Sequence, residues 1–410
     1  AMAYAKYKKL SLPNVYQWAT AATLSSSSSF MYNSNFSQNQ LINVGSQDNS
    51  NFNGLYDIAG NVREWIVNSL SDDSSIKGIL GGSFNDEPYY FNDYFGQNSM
   101  DRSLGNGLRL VKNLESEFKT DITANDQYYV KVRDFLNEKN VSDDVFEIFK
   151  SQYDYDISEL NKEEKTLDYS FSSFAVDQFY IDAAYNNERL PGYVFYDKNI
   201  KKPYKPIIFF PGSGSINTDS FENGIENRMK QFSYLLSEGY ALIHPIYKST
   251  FERRDNIKSD YPDETDEYKN AVIRWGKDYK RAIDYIQSRD DMDINSLSYY
   301  GISWGGSIAN ILLAIDDRVK NSVLYVAGIE FQTCKKEVDK FYYTSRIKIP
   351  VLMLNGKFDH FFPLETSQIP MFKLLGTPEK DKKHYVYETG HYVPRDELIK
   401  LHLEWLKKYE

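Results

Sequence analysis

One serine in this chain stands in a setting that makes serine reactive. Ser303 is the centre of Gly301-Ile302-Ser303-Trp304-Gly305, after the apolar run Leu297–Ile302 and before Gly306–Ile315, which has helical spacing. Strand, sharp turn and helix in that order lift a serine Oγ to the carboxyl end of a strand. The flanking glycines let neighbouring backbone come close. The helix N-terminus turns free N–H groups toward charge that develops in acyl transfer, and the N–H of Trp304 is the expected first donor. Such a serine needs a base that works near neutral pH, and histidine is the usual one. The chain has five histidines. His244 lies inside the run Tyr240–Ile246, His384 begins a strand, and His402 sits between two leucines of the last helix. His360 directly follows the expected acid. His391 follows Gly390 on a loop after the last strand and is the expected base.

Nucleophile-elbow sites run Ser, then Asp or Glu, then His along the chain. The strand Val351–Asn355 ends in Gly356-Lys357-Phe358-Asp359, which places Asp359 on the loop leaving that strand. Its expected task is to hold the imidazole tautomer and balance the imidazolium. Asp316 and Asp317 close the helix after the elbow, and Asp339 follows no clear strand. A second oxyanion donor is expected from the loop Pro211-Gly212-Ser213-Gly214-Ser215, at the N–H of Ser213 or Gly214. No Gly-Lys-Ser/Thr follows this loop, so it is not a phosphate-binding P-loop.

Three textures position these residues. Residues 1–112 are rich in Asn, Ser, Gly and aromatics, with turn signals at Asn53-Gly54, Gly81-Gly82 and Gly105-Asn106-Gly107. They predict an irregular domain with little helix beyond Asn14–Ala22, and a low-complexity loop at Ser25–Ser29. Residues 113–167 are charged, and Tyr128–Leu136 and Val145–Tyr153 predict two amphipathic helices, a linker or cap. From Asp168 to residue 410 strands and helices alternate, which predicts a mostly parallel sheet covered by helices on both faces. The first two strands, Gln178–Ala184 and Gly192–Tyr196, are expected to pair as an antiparallel hairpin through Asn186-Asn187.

Composition narrows the partners. With 48 Lys and Arg against 58 Asp and Glu, the net charge of −10 argues against nucleic acid. Cys334 is the single cysteine, so neither an internal disulfide nor a cysteine-based zinc site can form, and the compartment stays open. The apolar runs are strand-sized, so no membrane span is expected. The first residues, Ala1-Met2-Ala3-Tyr4, lack a signal-peptide pattern and read as the middle of an element, as in a fragment of a longer protein.

On Phe210–Gly214, Tyr300–Gly306, Asn355–Asp359 and Gly390-His391, residues 168–410 resemble the esterase and prolyl-oligopeptidase-like branch of the α/β-hydrolases. The resemblance implies a serine hydrolase that cleaves small-molecule carboxylic esters through an acyl-enzyme, without a catalytic cofactor. A peptidase acting on short peptides and a non-catalytic sensor or scaffold are the alternatives.

On Leu12-Pro13 with Trp18-Ala19, Gly54–Trp65, Gly81-Gly82-Ser83 and Gly107–Val111, residues 1–112 resemble the formylglycine-generating-enzyme (sulfatase-modifying factor) domain, a C-type-lectin-like α+β fold, entered partway along. That family holds copper with a cysteine pair, and no cysteine precedes Cys334, so the domain is expected to be catalytically degenerate. The resemblance also implies a structural calcium ion around Asn61 and Glu64. In some long bacterial proteins such domains sit beside Ser/Thr kinase domains with a hydrolase following, which implies an upstream kinase or sensor domain.

Overall fold

The computed structural model describes residues 1–22, 33–51, 53–69, 75–86, 90–91, 95–114, 133–167, 169, 173–257, 259–357, 359 and 361–410. Ser25–Ser29, Asp168, Phe358, His360 and the first half of Tyr128–Leu136 lie outside them. The chain divides into two compact units, Ala1–Val132 and Arg133–Glu410.

The first unit has two short helices, α1 (Met2–Tyr7) and α2 (Val15–Ala22). Its strands are β1 (Arg63–Ser69), β2 (Ile76–Leu80), β3 (Phe95–Asn98) and β4 (Asn106–Gly107), in the order β3-β2-β1-β4. Asn14 caps α2: its Oδ1 accepts from the Gln17 N–H, and Gln17 Oε1 accepts from the Asn14 N–H. This reciprocal pair satisfies two amides that a helix start leaves open. Trp18, Ile58, Ile66, Leu80 and Phe91 fill a small core.

The second unit is a nine-stranded sheet. Its strands are β5 (Glu163–Leu167), β6 (Phe174–Asp182), β7 (Arg189–Asp197), β8 (Lys205–Phe210), β9 (Tyr240–Pro245), β10 (Ser298–Ile302), β11 (Asn321–Tyr325), β12 (Val351–Gly356) and β13 (Lys382–Tyr387). The order is β13-β12-β11-β10-β8-β9-β7-β6-β5, parallel from β13 to β9 and antiparallel from β7 outward. The expected β6–β7 hairpin forms, and Asn186 and Asn187 take φ of 54° and 52° at its turn. Two left-handed residues in succession match the twist of the flanking strands.

Neighbouring residues along each central strand serve opposite cores. Ile208, Phe210, Ile243, Tyr299 and Met353 face one, and Ile207, Phe209, Leu242, Tyr300 and Leu352 face the other. The first core is closed by α5 (Asp266–Gln287) and α6 (Trp304–Ile315), the second by α4 (Ile225–Leu236) and α9 (Arg395–Lys408). Strands buried on both faces read as continuous apolar runs, which is how they appear in the sequence. No helix of the described residues is long and apolar enough to cross a membrane.

Of the segment read as a helical linker or cap, 113–167, the stretch described from 133 onward belongs to the second unit and holds one helix, α3 (Asp143–Ser151), and the edge strand β5. Phe146 meets Tyr343 edge-on at 5.4 Å, and Tyr153 is fully buried beside Gly276. Residues 133–136, expected to finish a helix, are not helical.

Candidate active site

Ser303 joins β10 to α6 with φ 55° and ψ −111°. A non-glycine residue there is strained, and the surroundings hold it in place. The Ser303 N–H donates to the Tyr325 carbonyl at 2.8 Å, and the Gly305 N–H donates to the Pro211 carbonyl at 3.1 Å. Position 305 must be glycine, because a Cβ would sit 2.1 Å from the Phe210 carbonyl oxygen.

His391 arrives from the other side. A Cβ on Gly356, at the end of β12, would lie 1.8 Å from the Gly390 carbonyl oxygen, so the acid strand and the histidine loop touch through bare backbone. His391 Nε2 is 2.8 Å from Ser303 Oγ, and His391 Nδ1 is 2.6 Å from Asp359 Oδ2. Asp359 is buried, and its Oδ1 accepts from the N–H groups of Phe361 at 2.9 Å and Phe362 at 3.1 Å. With Nδ1–H committed to the carboxylate, Nε2 presents its lone pair to the hydroxyl. Phe361 packs edge-on against the imidazole at 4.8 Å.

The other described histidines are elsewhere. His244 bonds the Pro245 carbonyl, and burial pushes it down to about 3. His402 bonds the Tyr234 hydroxyl and is likewise pushed down to about 3. His384 lies against Phe372 and is pushed down to about 4 by burial. Of the rival acids, Asp316 pairs with Arg318 and Asp339 with Arg133.

Trp304 opens α6, so its N–H has no partner one turn back. Gly212 faces the nucleophile, since a Cβ there would lie 3.5 Å from Ser303 Cβ. Ser213 and Gly214 then begin a 3₁₀ turn whose first internal bond is made by the Ser215 N–H. A cavity of about 320 Å³ opens beside this loop, lined by Gly212, Gly214, Thr218, Arg228, Phe232 and Ile302 among others.

Residues 191–391 match the model of the Dienelactone hydrolase family, and residues 1–114 match that of the Sulfatase-modifying factor enzyme 1-like domain. The chain joins a sulfatase-modifying-factor-type domain to a dienelactone hydrolase domain. By family the latter is an ester-cleaving hydrolase. Among solved structures, the acetyl xylan esterase from Paenibacillus sp. R4 aligns at 17% identity with a TM-score of 0.51, over 66% of this chain and 96% of that one. Acetyl Xylan Esterase 1 from Thermoanaerobacterium sp. JW/SL YS485 aligns at 15% identity with a TM-score of 0.51, over 67% of this chain and 96% of that one. At these identities the likeness establishes the fold. No curated protein matches the chain.

The roles of four residues of the dienelactone hydrolase domain escaped sequence reasoning. Tyr325 ends β11 and touches two arms of the site: its carbonyl takes the Ser303 N–H, and its hydroxyl accepts the Val393 N–H at 3.2 Å. Val326 follows at φ 47°, rare for a β-branched residue, and swings the chain beneath the site. Asn355 Nδ2 donates to the Ala327 carbonyl at 2.8 Å, tying this turn to the acid strand. Gln368 Nε2 donates to the carbonyls of Gly356 at 2.8 Å and Phe362 at 2.7 Å and clamps both ends of the acid loop. None carries a local spacing signal, because each works across distant segments.

In the sulfatase-modifying-factor-type domain, Asn61 and Glu64 do not fit a calcium ion. Glu64 is buried with Oε1 taken by Arg109 Nη2 at 2.9 Å and Oε2 by Arg109 Nε at 3.0 Å and Trp18 Nε1 at 2.8 Å. Asn61 Oδ1 already accepts from Asn35 Nδ2 and the Ile42 N–H, both at 3.1 Å. Calcium needs six to eight oxygens, and a guanidinium on the carboxylate repels it. Among the described residues no group of three or more His, Cys, Asp or Glu could hold a metal.

Proposed function

We propose that the hydrolase domain cleaves carboxylic esters through an acyl-enzyme, with Ser303 as nucleophile, His391 as base and Asp359 as the orienting acid. The observation that carries the reading is the unbroken chain from Ser303 Oγ through His391 to Asp359, at 2.8 Å and 2.6 Å. As Ser303 Oγ attacks the ester carbonyl, His391 Nε2 takes its proton and Asp359 balances the imidazolium. The N–H of Trp304 and that of Ser213 or Gly214 receive the oxyanion. His391 then protonates the leaving alcohol, and a water activated by His391 releases the acid. No cofactor enters this route.

Hydrolysis of p-nitrophenyl acetate, butyrate and octanoate by wild type and Ser303→Ala tests the reading. Turnover by wild type that collapses in the variant is expected, and the chain-length preference then sizes the acyl pocket. Equal rates in both proteins overturn the role of Ser303. Inactivity on esters together with turnover of peptide p-nitroanilides makes the domain a peptidase instead.

A further inference from the structure

The cavity of about 320 Å³ beside the oxyanion loop is lined by a cation that the acyl-enzyme route leaves unused. Arg228 ends the first turn of α4, and its guanidinium carbon lies 4.1 Å from the ring centre of Phe221 and 5.1 Å from that of Phe251. Its Nη1 donates to the Phe221 carbonyl at 3.0 Å. The same atom fills the space beside Gly224, where a Cβ would stand 2.0 Å from it. The side chain is therefore held in place and half-buried. Its Nε and Nη2 have no hydrogen-bond partner, and it has no salt bridge, among the described residues. Glu252 acts on it through space, but that carboxylate is exposed and its Oε1 accepts from the Phe221 N–H at 2.7 Å. Burial outweighs Glu252 and holds the guanidinium below the usual arginine range.

The rest of the wall narrows what could satisfy this cation. Phe209, Phe232, Phe251 and Ile302 supply apolar surface. His244 also lines the cavity and brings no second positive charge, since burial pushes it down to about 3. Gly212 and Gly214 bring in the oxyanion loop. The N–H groups of Ser213 and Gly214 precede the first internal bond of its 3₁₀ turn, which leaves both free to donate. The same loop reaches the nucleophile, because a Cβ on Gly212 would lie 3.5 Å from Ser303 Cβ.

A planar cation with Nε and Nη2 open matches a carboxylate, which accepts two parallel N–H bonds from such a fork. A phosphate group carries about 1.5–2 negative charges, too many for one arginine with Glu252 nearby, and has no apolar body for the phenyl walls. An ammonium is repelled, and a neutral ligand leaves the charge unmet. We propose that this cavity is a binding site for a small monocarboxylate with an apolar body, held by Arg228, and that acids released by ester cleavage bind there and slow turnover. The first part stands on the cavity alone, and the second rests on the esterase reading of Ser303. A carboxylate at Arg228 competes for the loop N–H groups that the oxyanion needs, which gives binding its effect on rate.

Benzoate is the probe, and benzyl alcohol, which lacks the charge, is its control. Binding is read by titration calorimetry on the full chain carrying Ser303→Ala, so that no turnover is needed. Benzoate should bind at least about tenfold more tightly than benzyl alcohol, as a hydrogen-bonded charge provides. Adding Arg228→Gln should abolish that margin, and Arg228→Lys, which keeps the charge but loses the fork, should retain part of it. With Ser303 present, benzoate should inhibit hydrolysis of p-nitrophenyl acetate, and Arg228→Gln should raise its inhibition constant at least about tenfold. If Arg228→Gln folds poorly, Arg228→Lys and the margin between the two probes still decide. No binding, equal binding of the two probes, or benzoate affinity that ignores Arg228→Gln overturns the site and leaves the esterase reading intact. Binding that depends on Arg228 without inhibition overturns the link to turnover. Binding that depends on Arg228 in a chain that hydrolyses no ester overturns the esterase reading and that link together, and supports the site.

Discussion

Glu64 in the first unit and Asp359 in the second are both buried carboxylates held by a nitrogen base. Glu64 gives both oxygens to Arg109 and Trp18. Asp359 gives one oxygen to two backbone N–H groups and the other to His391, whose far nitrogen reaches Ser303. Arginine stays charged at any working pH, so the first arrangement has no proton to move and serves as a rivet. Imidazole gains and loses a proton near neutrality and has a second nitrogen to do it with. The same burial of an acid thus gives a fixed ion pair in one unit and, in the proposed mechanism, chemistry in the other, and the partner base decides which.

Breaking each side separately gives effects of different size and kind. Ser303→Ala should lower kcat by about five to six orders of magnitude, as loss of a triad nucleophile does, measured on p-nitrophenyl acetate. Asp359→Asn should cost about 10³–10⁴-fold in kcat with KM little changed, because the amide favours the wrong imidazole tautomer. Glu64→Ala strands the Arg109 guanidinium and should destabilise the N-terminal unit by about 3–5 kcal/mol, read by calorimetry on the whole chain as a lowered transition. An equal loss of ester hydrolysis in that variant would contradict the division of labour between the two carboxylates.

Subtler changes sharpen the comparison. Burial pushes His244 and His402 down to about 3 and His384 to about 4, from an ordinary 6.5. Between those values and 6.5 only the unfolded chain takes up the protons. Stability that is complete above 6.5 should therefore drain away as pH falls toward 3. Urea titrations at several pH values should show that slope, and His402→Gln should make it shallower. The smallest expected effect belongs to Tyr325→Phe, which removes one hydrogen bond to the histidine loop, about 1 kcal/mol. A fall of about fivefold in kcat, with unchanged KM and nearly unchanged Tm, would mark Tyr325 as a positioning residue.

The hydrogen-bonded chain Ser303–His391–Asp359 was legible because each residue has a local signature. Ser303 has strand, glycines and helix around it, and Asp359 and His391 follow strand ends in the order the chemistry requires. The central strands β8, β9, β10, β11 and β12 were legible as apolar runs for a related reason: both of their faces are buried. What was missed is non-local or exposed. β5 reads Glu163-Glu164-Lys165-Thr166-Leu167 and is almost wholly exposed, as suits an edge that must not pair with another chain. Tyr325 reaches Val393 across 68 positions, and Arg109 reaches Glu64 across 45, so no spacing rule links them. The Arg109–Glu64 pair, which bears on the calcium expectation, was illegible for that reason.

The central claim is that Ser303 becomes covalently acylated. Incubation of the whole chain with a fluorophosphonate, followed by peptide mass spectrometry, tests it most directly. The account predicts one adduct, on Ser303, absent from Ser303→Ala and formed far more slowly in His391→Ala. An adduct on another residue, or none from a protein that still hydrolyses p-nitrophenyl acetate, would contradict it.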